Sequence, residues 1–366
     1  MSKFPEYKHD KGREYFDRAL KVIPAGIYGH LGPSEGLWIP INKWPFFSEK
    51  AQGSYFWDVD GNKYIDYMCA YGPNVLGYND PDVDAAAMKQ LKKGNCTTSP
   101  GKVMVECAEN LVDTVASADW AFFCKDGSDI NALDEVWDRY DGDVAGNIAQ
   151  PYDHGNFKDN EVANKEYWTS VRKWCDDHGV VLIFDDVRTG FRLDLAGSDH
   201  YYGIKADLIC FCKALANGYN MSALCGGEHM KATVSGMTYT GSYWMSAVPF
   251  AASIACINKM KKLDTPTLFR KLGTELTDGL KAAAANNGFD LKVTGEPALF
   301  YLRIANDDSL MLHQEWIAEC VSRGLFLASH HNHFINASLT EDDIKVSIDI
   351  AEDAFNVVRK NHPELF

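Results

Sequence analysis

The stretch VVLIFDDVRTGF, residues 180–191, carries the clearest indication of the fold. It begins with a run of apolar residues that is typical of a strand buried on both faces of a parallel sheet. The run stops at two adjacent acids, Asp185 and Asp186. Ligands of open α/β sheets bind beyond the carboxyl ends of the strands, so these two acids are candidate site residues.

Helix and strand patterns alternate around this stretch. The segment NKEYWTSVRKWCDDHG before it has helical spacing and a glycine stop, and ADLICFCKAL after it is another short apolar run. Such alternation predicts βαβ units and an α/β fold, with a mostly parallel central sheet flanked by helices. Nearer the C-terminus, helical patterns surround short strands, which predicts a smaller α+β domain. We expect an N-terminal segment (1–52) that packs with the small domain, a large domain (53–258) and the small domain itself (259–366).

Composition argues against several classes of partner. The formal net charge of −15 disfavours binding to nucleic acid or to an anionic membrane surface. The ten cysteines have neither the spacing of zinc ligands nor that of a disulfide framework. No apolar run has membrane-spanning length, and the first residues lack the apolar core of a signal peptide. These features predict a protein of the reduced cytoplasmic compartment.

The acid pair after the strand admits three interpretations. One acid could cap the following turn while the other is solvated. The pair could instead bind magnesium, although the phosphate-binding motif G-x-x-x-x-G-K-[ST] that would accompany it is absent from the sequence. In the third interpretation, a carboxylate holds the protonated ring nitrogen of pyridoxal phosphate.

The third interpretation makes two further demands on the sequence. It needs a lysine that can form a Schiff base, and Lys213 follows the apolar run ADLICFC directly. It also needs a phosphate site, and Gly127, Ser128 and Asp129 stand at a predicted strand-to-helix junction, where free backbone amides attract anions. A surface lysine and an ordinary helix cap are the alternatives for these residues. The three features in sequence favour pyridoxal phosphate.

With these motifs, the chain resembles the class III aminotransferases, which are pyridoxal phosphate enzymes of fold type I. Within that family it is most similar to the glutamate-1-semialdehyde aminomutase branch. The resemblance runs almost from end to end. It rests on the segments LIFDDVRTGFR, ICFCKALANGYNMSAL, KDGSDINAL, GSYFWDVDGNKYIDYMCAYGPNVLGYNDPDV and YTGSYWMSAVPFAAS.

The resemblance implies roles for individual residues and a homodimer with the site at its interface. Lys213 would form the internal aldimine and carry protons. Asp185 would bind the pyridine nitrogen, Val187 would pack on one face of the ring, and Asp186 would be a turn acid. The residues implied to contact the phosphate are Gly127, Ser128 and Asp129 of one subunit, with Thr240 and Ser242 of its neighbour.

The implied function is transfer of an amino group between an amine or amino acid and a keto or aldehyde acceptor, dependent on pyridoxal phosphate. An aminomutase or a racemase that uses the same lysine is the alternative within enzymes, and a cofactor-free pseudoenzyme is the alternative of another class. The aminomutase branch tends to place an arginine in its entry segment, where this chain reads GIYGHLGP with His30. That difference favours the transferase.

One segment of the family is missing from the sequence. The family follows its phosphate loop with a helix, a strand and a Tyr-His-Gly segment whose aromatic ring stacks on the cofactor. Here GSDINAL runs straight into DEVWDRYDGDVAGNIAQP, which resembles a later part of the family. Roughly 60–70 residues are therefore missing near residues 133–134. Either they are deleted from the protein, or the protein has them and the numbering passes over them, and we favour the second explanation.

Overall fold

The computed structural model describes residues 3–23, 26–27, 42–124, 137, 142–154, 157–237, 243 and 245–365. The helices are α1 (Asp10–Ala19), α2 (Pro81–Leu91), α3 (Lys102–Thr114), α4 (Lys165–His178), α5 (Ser198–Tyr202), α6 (Glu228–Ser235), α7 (Ala247–Leu263), α8 (Thr265–Asn286), α9 (Met311–Val321) and α10 (Glu341–Asn361). The strands are β1 (Ser48–Gln52), β2 (Tyr55–Asp58), β3 (Lys63–Asp66), β4 (Trp120–Cys124), β5 (Gly146–Ala149), β6 (Tyr152–Asp153), β7 (Glu161–Val162), β8 (Val181–Asp185), β9 (Leu208–Phe211), β10 (Ser222–Gly226), β11 (Leu291–Glu296), β12 (Leu299–Ile304), β13 (Leu325–Phe326) and β14 (His333–Phe334). Within these described residues, no helix is both long enough and apolar enough to cross a membrane.

A five-stranded sheet in the order β4-β10-β9-β8-β5 forms the centre of the molecule. Strands β5, β8 and β9 are parallel neighbours, and helices α4 and α5 lie in the connections between them. Strand β10 runs antiparallel to both β9 and β4. Four of the five strands therefore share one direction, and the predicted α/β fold with a mostly parallel sheet is confirmed.

One face of the inner strands of this sheet is almost completely buried. Leu182 and Phe184 of β8 and Ile209 and Phe211 of β9 are almost completely shielded from solvent. Trp168 of helix α4 packs against Phe184, with 4.6 Å between the ring centroids. Ile183 and Cys210, which alternate with these residues, point to the opposite face and are partly exposed. The predicted burial on both faces is therefore complete on one face only, and the burial there stabilises the strands.

Local signals set where helix α4 ends and strand β8 begins. The side chain of Asn164 caps the helix by accepting a hydrogen bond from the backbone amide of Tyr167 at 2.8 Å. Gly179 ends the helix in the left-handed conformation, at φ +68°, where a glycine avoids the steric cost of a side chain. The chain can therefore turn directly into the buried strand that carries Asp185.

Three smaller sheets complete the fold, and one of them is the antiparallel pair β6-β7. The first, in the order β1-β2-β3-β13, combines strands from near the two ends of the chain, because β13 pairs in parallel with β3. Another, β11-β12-β14, packs with helices α8 and α9, and helix α10 packs on those two helices. In that region Trp316 stacks on Phe355 with 4.5 Å between centroids. The predicted domain limits at residues 52 and 258 stay a prediction, and helix α7 runs across residue 258.

Asp186 is a buried structural residue that is 1% exposed, so the interpretation of a solvated second acid is wrong. It lies in the turn as expected, and its carboxylate accepts a hydrogen bond from Thr189 Oγ1 at 2.6 Å. It also accepts hydrogen bonds from the hydroxyl and, at 2.9 Å, the backbone amide of Ser198, which ties the turn to the start of helix α5. Burial raises the pKa of Asp186 to about 6.

We predict that Asp186→Ala lowers the free energy of unfolding by about 1–3 kcal/mol at neutral pH, because buried donors on Ser198 and Thr189 lose their acceptor. Urea denaturation measures this change. The loss should be larger at pH 4, since a carboxyl group with a raised pKa favours the folded state at acid pH, and this contribution is lost as the pH rises through about 6. Asp177→Ala, at an exposed position on helix α4, is the control and should change stability little. Equal effects of the two substitutions would contradict the structural role of Asp186.

Candidate active site

Adjacent parallel strands bring Asp185 and Lys213 to one edge of the central sheet. Strands β8 and β9 pair in a register that sets Asp185 opposite Cys210. Lys213 follows the end of β9 after one intervening residue. The carboxylate and the amine thus lie at the carboxyl ends of neighbouring strands, which is where open α/β sheets bind ligands.

The backbone at Lys213 adopts a conformation that residues other than glycine rarely take. Its φ is +42°, and the residue begins a single 3-10 turn, Lys213–Ala216. The lysine stem passes close to Gly72, where an added Cβ would lie 3.6 Å from Lys213 Cδ and 3.1 Å from the ring of Phe334. Strain of this kind is common where a fold fixes the direction of a functional side chain.

The environment of Lys213 favours the neutral amine. Burial, together with the nearby positive charges of Arg188 and Arg192, lowers the pKa of Lys213 to about 8, while Cys212 and Asp185 act in the opposite direction. A lysine with an ordinary pKa is almost entirely protonated near neutrality and is a poor nucleophile. A useful fraction of Lys213 is therefore able to attack a carbonyl carbon near pH 8.

Asp185 is the last residue of strand β8 and is only 6% exposed. Its Oδ1 accepts a hydrogen bond from the backbone amide of Val187 at 3.1 Å, which fixes the orientation of the carboxylate. Val187 is partly exposed in the same turn. The acid that reaches the sheet edge is thus Asp185, whereas the carboxylate of Asp186 is used within the fold.

Arg192, a residue that the sequence interpretation did not single out, connects two segments of the chain that border the site. It is 1% exposed, and its guanidinium donates to the carbonyl oxygens of Gly72 at 2.6 Å and Ile335 at 2.7 Å. Its Cζ lies 4.8 Å from the ring centroid of Phe334, a cation–π distance. Arg192 therefore fixes the Gly72 turn, against which the Lys213 stem packs, to the C-terminal part of the chain.

A histidine-rich segment borders the same edge. It reads SHHNHF, residues 329–334, and its Asn332 accepts a hydrogen bond through Oδ1 from Arg188 Nη1 at 3.0 Å. The ring of His331 packs edge-on against Tyr71, at 5.2 Å between centroids. His154, from the loop after β6, has two buried ring nitrogens without a hydrogen-bond partner among the described residues. Burial, followed by the charges of Arg188 and Lys213, lowers the pKa of His154 well below its usual value, so this imidazole is neutral.

The side chains at this edge fit pyridoxal phosphate. A buried carboxylate can hold a protonated ring nitrogen, and an amine with a pKa of about 8 can join an aldehyde. The buried nitrogens of His154 are polar groups that await a partner. In the described part of the chain, no group of three or more histidine, cysteine, aspartate or glutamate residues is arranged to hold a metal ion.

Several residues predicted for the site lie outside the described residues. They are Gly127, Ser128, Asp129, Thr240 and Ser242. His30 and the junction at residues 133–134 also lie outside them. The roles predicted for these positions stay predictions.

Sequence reasoning missed Arg188, Arg192, His154 and Gly72. The two arginines stand in the quoted stretch itself, and charged residues this close to a buried strand were a usable signal. His154 and Gly72 come from distant parts of the chain, and no local pattern connects them to Lys213.

The sequence matches the aminotransferase class-III family over residues 40–133 and 130–347. The chain belongs to the class III aminotransferases. It is 34% identical over 405 residues to the aminopentol aminotransferase of Sphingopyxis macrogoltabida, covering 95% of this chain and 94% of the relative. It is 24% identical to the 3-aminobutyryl-CoA aminotransferase of Cloacimonas acidaminovorans, and that alignment covers 94% of this chain and 96% of the relative. The structure of the Sphingopyxis sp. MTA144 FumI protein, in its pyridoxal phosphate internal aldimine form, is similar with a TM-score of 0.89 and 32% identity, covering 97% of this chain and 99% of that one.

Membership of this family identifies the protein as an aminotransferase that uses pyridoxal phosphate and has the type I fold. The expected closeness to the aminomutase branch finds no support among these relatives, two of which are named as aminotransferases. The alignment with the aminopentol aminotransferase extends over more positions than this chain has residues, so part of that relative has no counterpart here. The two stretches of the family match meet at residues 130–133.

Proposed function

We propose that Lys213 and Asp185 are the catalytic residues of this aminotransferase. The observation that carries the proposal is the pairing of β8 with β9, which puts a buried carboxylate and an amine with a pKa of about 8 beyond neighbouring strand ends. Pyridoxal phosphate, when bound, supplies a conjugated ring that takes up the electrons left when the Cα–H bond of the amine donor breaks. The protein supplies the covalent attachment, the orientation and the proton transfers.

Lys213 Nζ has two roles in this proposal. Its neutral form would hold the cofactor covalently through the aldehyde carbon, with loss of water. With the donor amine bound, Nζ would take the proton from the donor α-carbon and deliver it to that former aldehyde carbon of the cofactor. A base with a pKa of about 8 is suited to both transfers near neutral pH, because neither its protonated nor its neutral form is scarce.

Asp185 holds the proton on the ring nitrogen of the cofactor. A negative charge close to that nitrogen raises its pKa, and the hydrogen bond from the Val187 amide keeps the carboxylate oriented. Val187 packs on one face of the ring in this proposal. The proposal also assigns the phosphate to Gly127, Ser128 and Asp129, on the strength of the sequence resemblance.

The reaction we propose is transfer to a separate keto acid or aldehyde, and not a 2,1-aminomutase or racemase reaction. Two of the relatives are named as aminotransferases, and His30 stands where the aminomutase branch tends to have an arginine. A cofactor-free pseudoenzyme is not favoured, because the chain retains both Lys213 and Asp185. We also propose a cytoplasmic location, where the cysteines would stay reduced. Recovery of the protein among secreted proteins would contradict this location.

We predict that the purified protein, mixed with pyridoxal phosphate, develops an absorbance band near the visible range that borohydride treatment fixes on the peptide containing Lys213. Lys213→Ala should abolish the covalent product and reduce amino-group transfer by several orders of magnitude, because attachment and proton transfer both depend on Nζ. Lys205→Ala, at an exposed position before β9, is the matched control and should behave like the wild type. Borohydride labelling of another lysine would show that the assignment is wrong.

We predict a homodimer in which Thr240 and Ser242 reach the phosphate of the partner subunit. Such an obligate interface should bury more than about 2,000 Å². Analytical ultracentrifugation of the cofactor-bound protein should give twice the mass of one chain. A monomer that binds pyridoxal phosphate tightly would contradict the shared site.

We predict that the active protein carries a further segment at residues 133–134. The family match divides there, and the missing part would supply the aromatic ring that stacks on the cofactor in the family. Mass spectrometry of the denatured protein from its natural source should therefore give more than the 40.8 kDa of this chain. A measured mass of 40.8 kDa would show that the deletion is real.

A further inference from the structure

Three consecutive residues other than glycine adopt the left-handed backbone conformation beside the site. Cys69, Ala70 and Tyr71 have φ values of +48°, +55° and +66°, and Gly72 follows at +104°. We call these four residues the left-handed turn. L-amino acids avoid this region because the Cβ atom approaches the following carbonyl oxygen, so a run of three is strained. Ala70 is exposed, so packing of its methyl group does little to offset the strain, and the surroundings must hold the turn in place.

Two buried side chains from distant parts of the chain hold the left-handed turn. Arg192 donates from Nη2 to the carbonyl oxygen of Gly72 at 2.6 Å. Asn336, which is 2% exposed, donates from Nδ2 to Cys69 Sγ at 3.5 Å. Inside the turn, the amide of Gly72 donates to the carbonyl oxygens of Met68 and Cys69, each at 3.1 Å. Both ends of the turn are therefore tied to the rest of the fold.

The left-handed turn packs on the lysine that we propose as catalytic. A Cβ added at Gly72 would lie 3.6 Å from Lys213 Cδ, so the backbone of the turn lies against the lysine stem. The ring of Tyr71 packs edge-on against His331, with 5.2 Å between centroids. Lys213 itself has a φ of +42°, so strained backbone lies on both sides of this contact. Movement of the turn would expose the stem of Lys213 to water.

We propose that the left-handed turn is a strained positioning element, and that Arg192 holds it against the stem of Lys213. This inference rests on the proposed function, in which Lys213 attaches the cofactor. When the Arg192 contact is lost, the turn relaxes toward ordinary φ values, because the strain is no longer opposed. Gly72 then moves away from the lysine, and water reaches the amine. Ala70 sets how much strain has to be held, so Ala70 and Arg192 are both positioning residues.

The first test replaces Ala70 with residues that suit the left-handed region better and worse. Ala70→Gly should raise the midpoint of thermal unfolding by about 1–2 °C, because relief of the strain exceeds the extra entropy of glycine in the unfolded chain. Ala70→Val should lower the midpoint, because a β-branched residue is strained further at positive φ.

Ala116→Gly is the matched control for this stability test. Ala116 is also an exposed alanine in a turn, but its φ lies outside the left-handed region. The same substitution should therefore lower the unfolding midpoint there. A midpoint for Ala70→Gly at or below that of the wild type would show that the left-handed turn stores no strain.

The second test uses Arg192→Lys, which keeps the positive charge but loses the planar fork of donors. In cofactor-free protein, acetic anhydride labelling of Lys213 is measured against pH by peptide mass spectrometry, with the exposed Lys205 as internal reference. The labelling midpoint of about 8 should rise toward 10.5, the ordinary pKa of a lysine, because the amine becomes hydrated. Formation of the absorbance band with pyridoxal phosphate should slow roughly tenfold, because the amine is no longer held in place.

The double variant Arg192→Lys/Ala70→Gly tests whether strain is the cause. A glycine stays in the left-handed region without being held there, so this variant should return the labelling midpoint to about 8 and recover most of the rate of band formation. Arg192→Lys/Asp264→Gly is the control. Asp264 also has a positive φ, +46°, but it lies where helix α7 meets helix α8, so its replacement should restore neither property. Rescue by both double variants, or by neither, would overturn the proposal.

The outcomes separate this inference from the proposed function. If the wild-type protein forms no absorbance band with pyridoxal phosphate, the proposed function fails, while the unfolding and labelling midpoints still test the turn. If the wild type forms the band and Arg192→Lys has the same labelling midpoint and rate, the inference alone is wrong. If Arg192→Lys does not fold, Ala70→Val gives the test with Arg192 intact. Its Lys213 labelling midpoint should rise above about 8, and an unchanged midpoint would count against the proposal.

Discussion

The parallel pairing of strands β8 and β9 is the constraint on which the site depends. Its register sets Asp185 opposite Cys210 and so decides where Lys213 leaves the sheet relative to the carboxylate. A slip of one residue would turn the side chain of Asp185 to the other face. Aromatic packing inside the sheet opposes such a slip, since Trp168 packs on Phe184 and Phe191 stacks on Phe211 at 4.7 Å. The relative position of amine and carboxylate is therefore set by buried side chains that never touch a substrate.

Positive charge accumulates at the same edge. Lys213, Arg188 and Arg192 lie near one another in a chain whose formal net charge is −15. Their mutual repulsion, added to burial, makes the lysine amine less basic than in water. The local field also attracts anions against the overall charge of the protein. The cluster of positive charges thus has two effects: it makes the lysine amine more reactive, and it attracts the negatively charged groups of ligands.

Signals confined to one segment of the sequence predicted the sheet and its two catalytic candidates. Strands β8 and β9 are continuous apolar runs, and a lysine directly after such a run stands out. Partners distant in sequence could not be predicted. Arg188 meets Asn332 across 144 positions and Arg192 meets Gly72 across 120, and no local periodicity encodes either contact. For Asp186, the sequence predicted the position in a turn. It did not predict the hydrogen bond from the backbone amide of Ser198, twelve residues later in the chain.

The parallel pairing of β3 with β13 has a consequence for how the chain is made. Strand β3 leaves the ribosome early, whereas its partner at Leu325–Phe326 follows only near the end of synthesis. Until then β3 presents an unpaired edge that could join another chain. The Arg192 bridge between Gly72 and Ile335 likewise cannot close before residue 335 has emerged. The nascent chain therefore contains Asp185 and Lys213 well before Arg192 can connect the Gly72 turn to the C-terminal part of the chain. During this interval, chaperones would protect the nascent chain from aggregation.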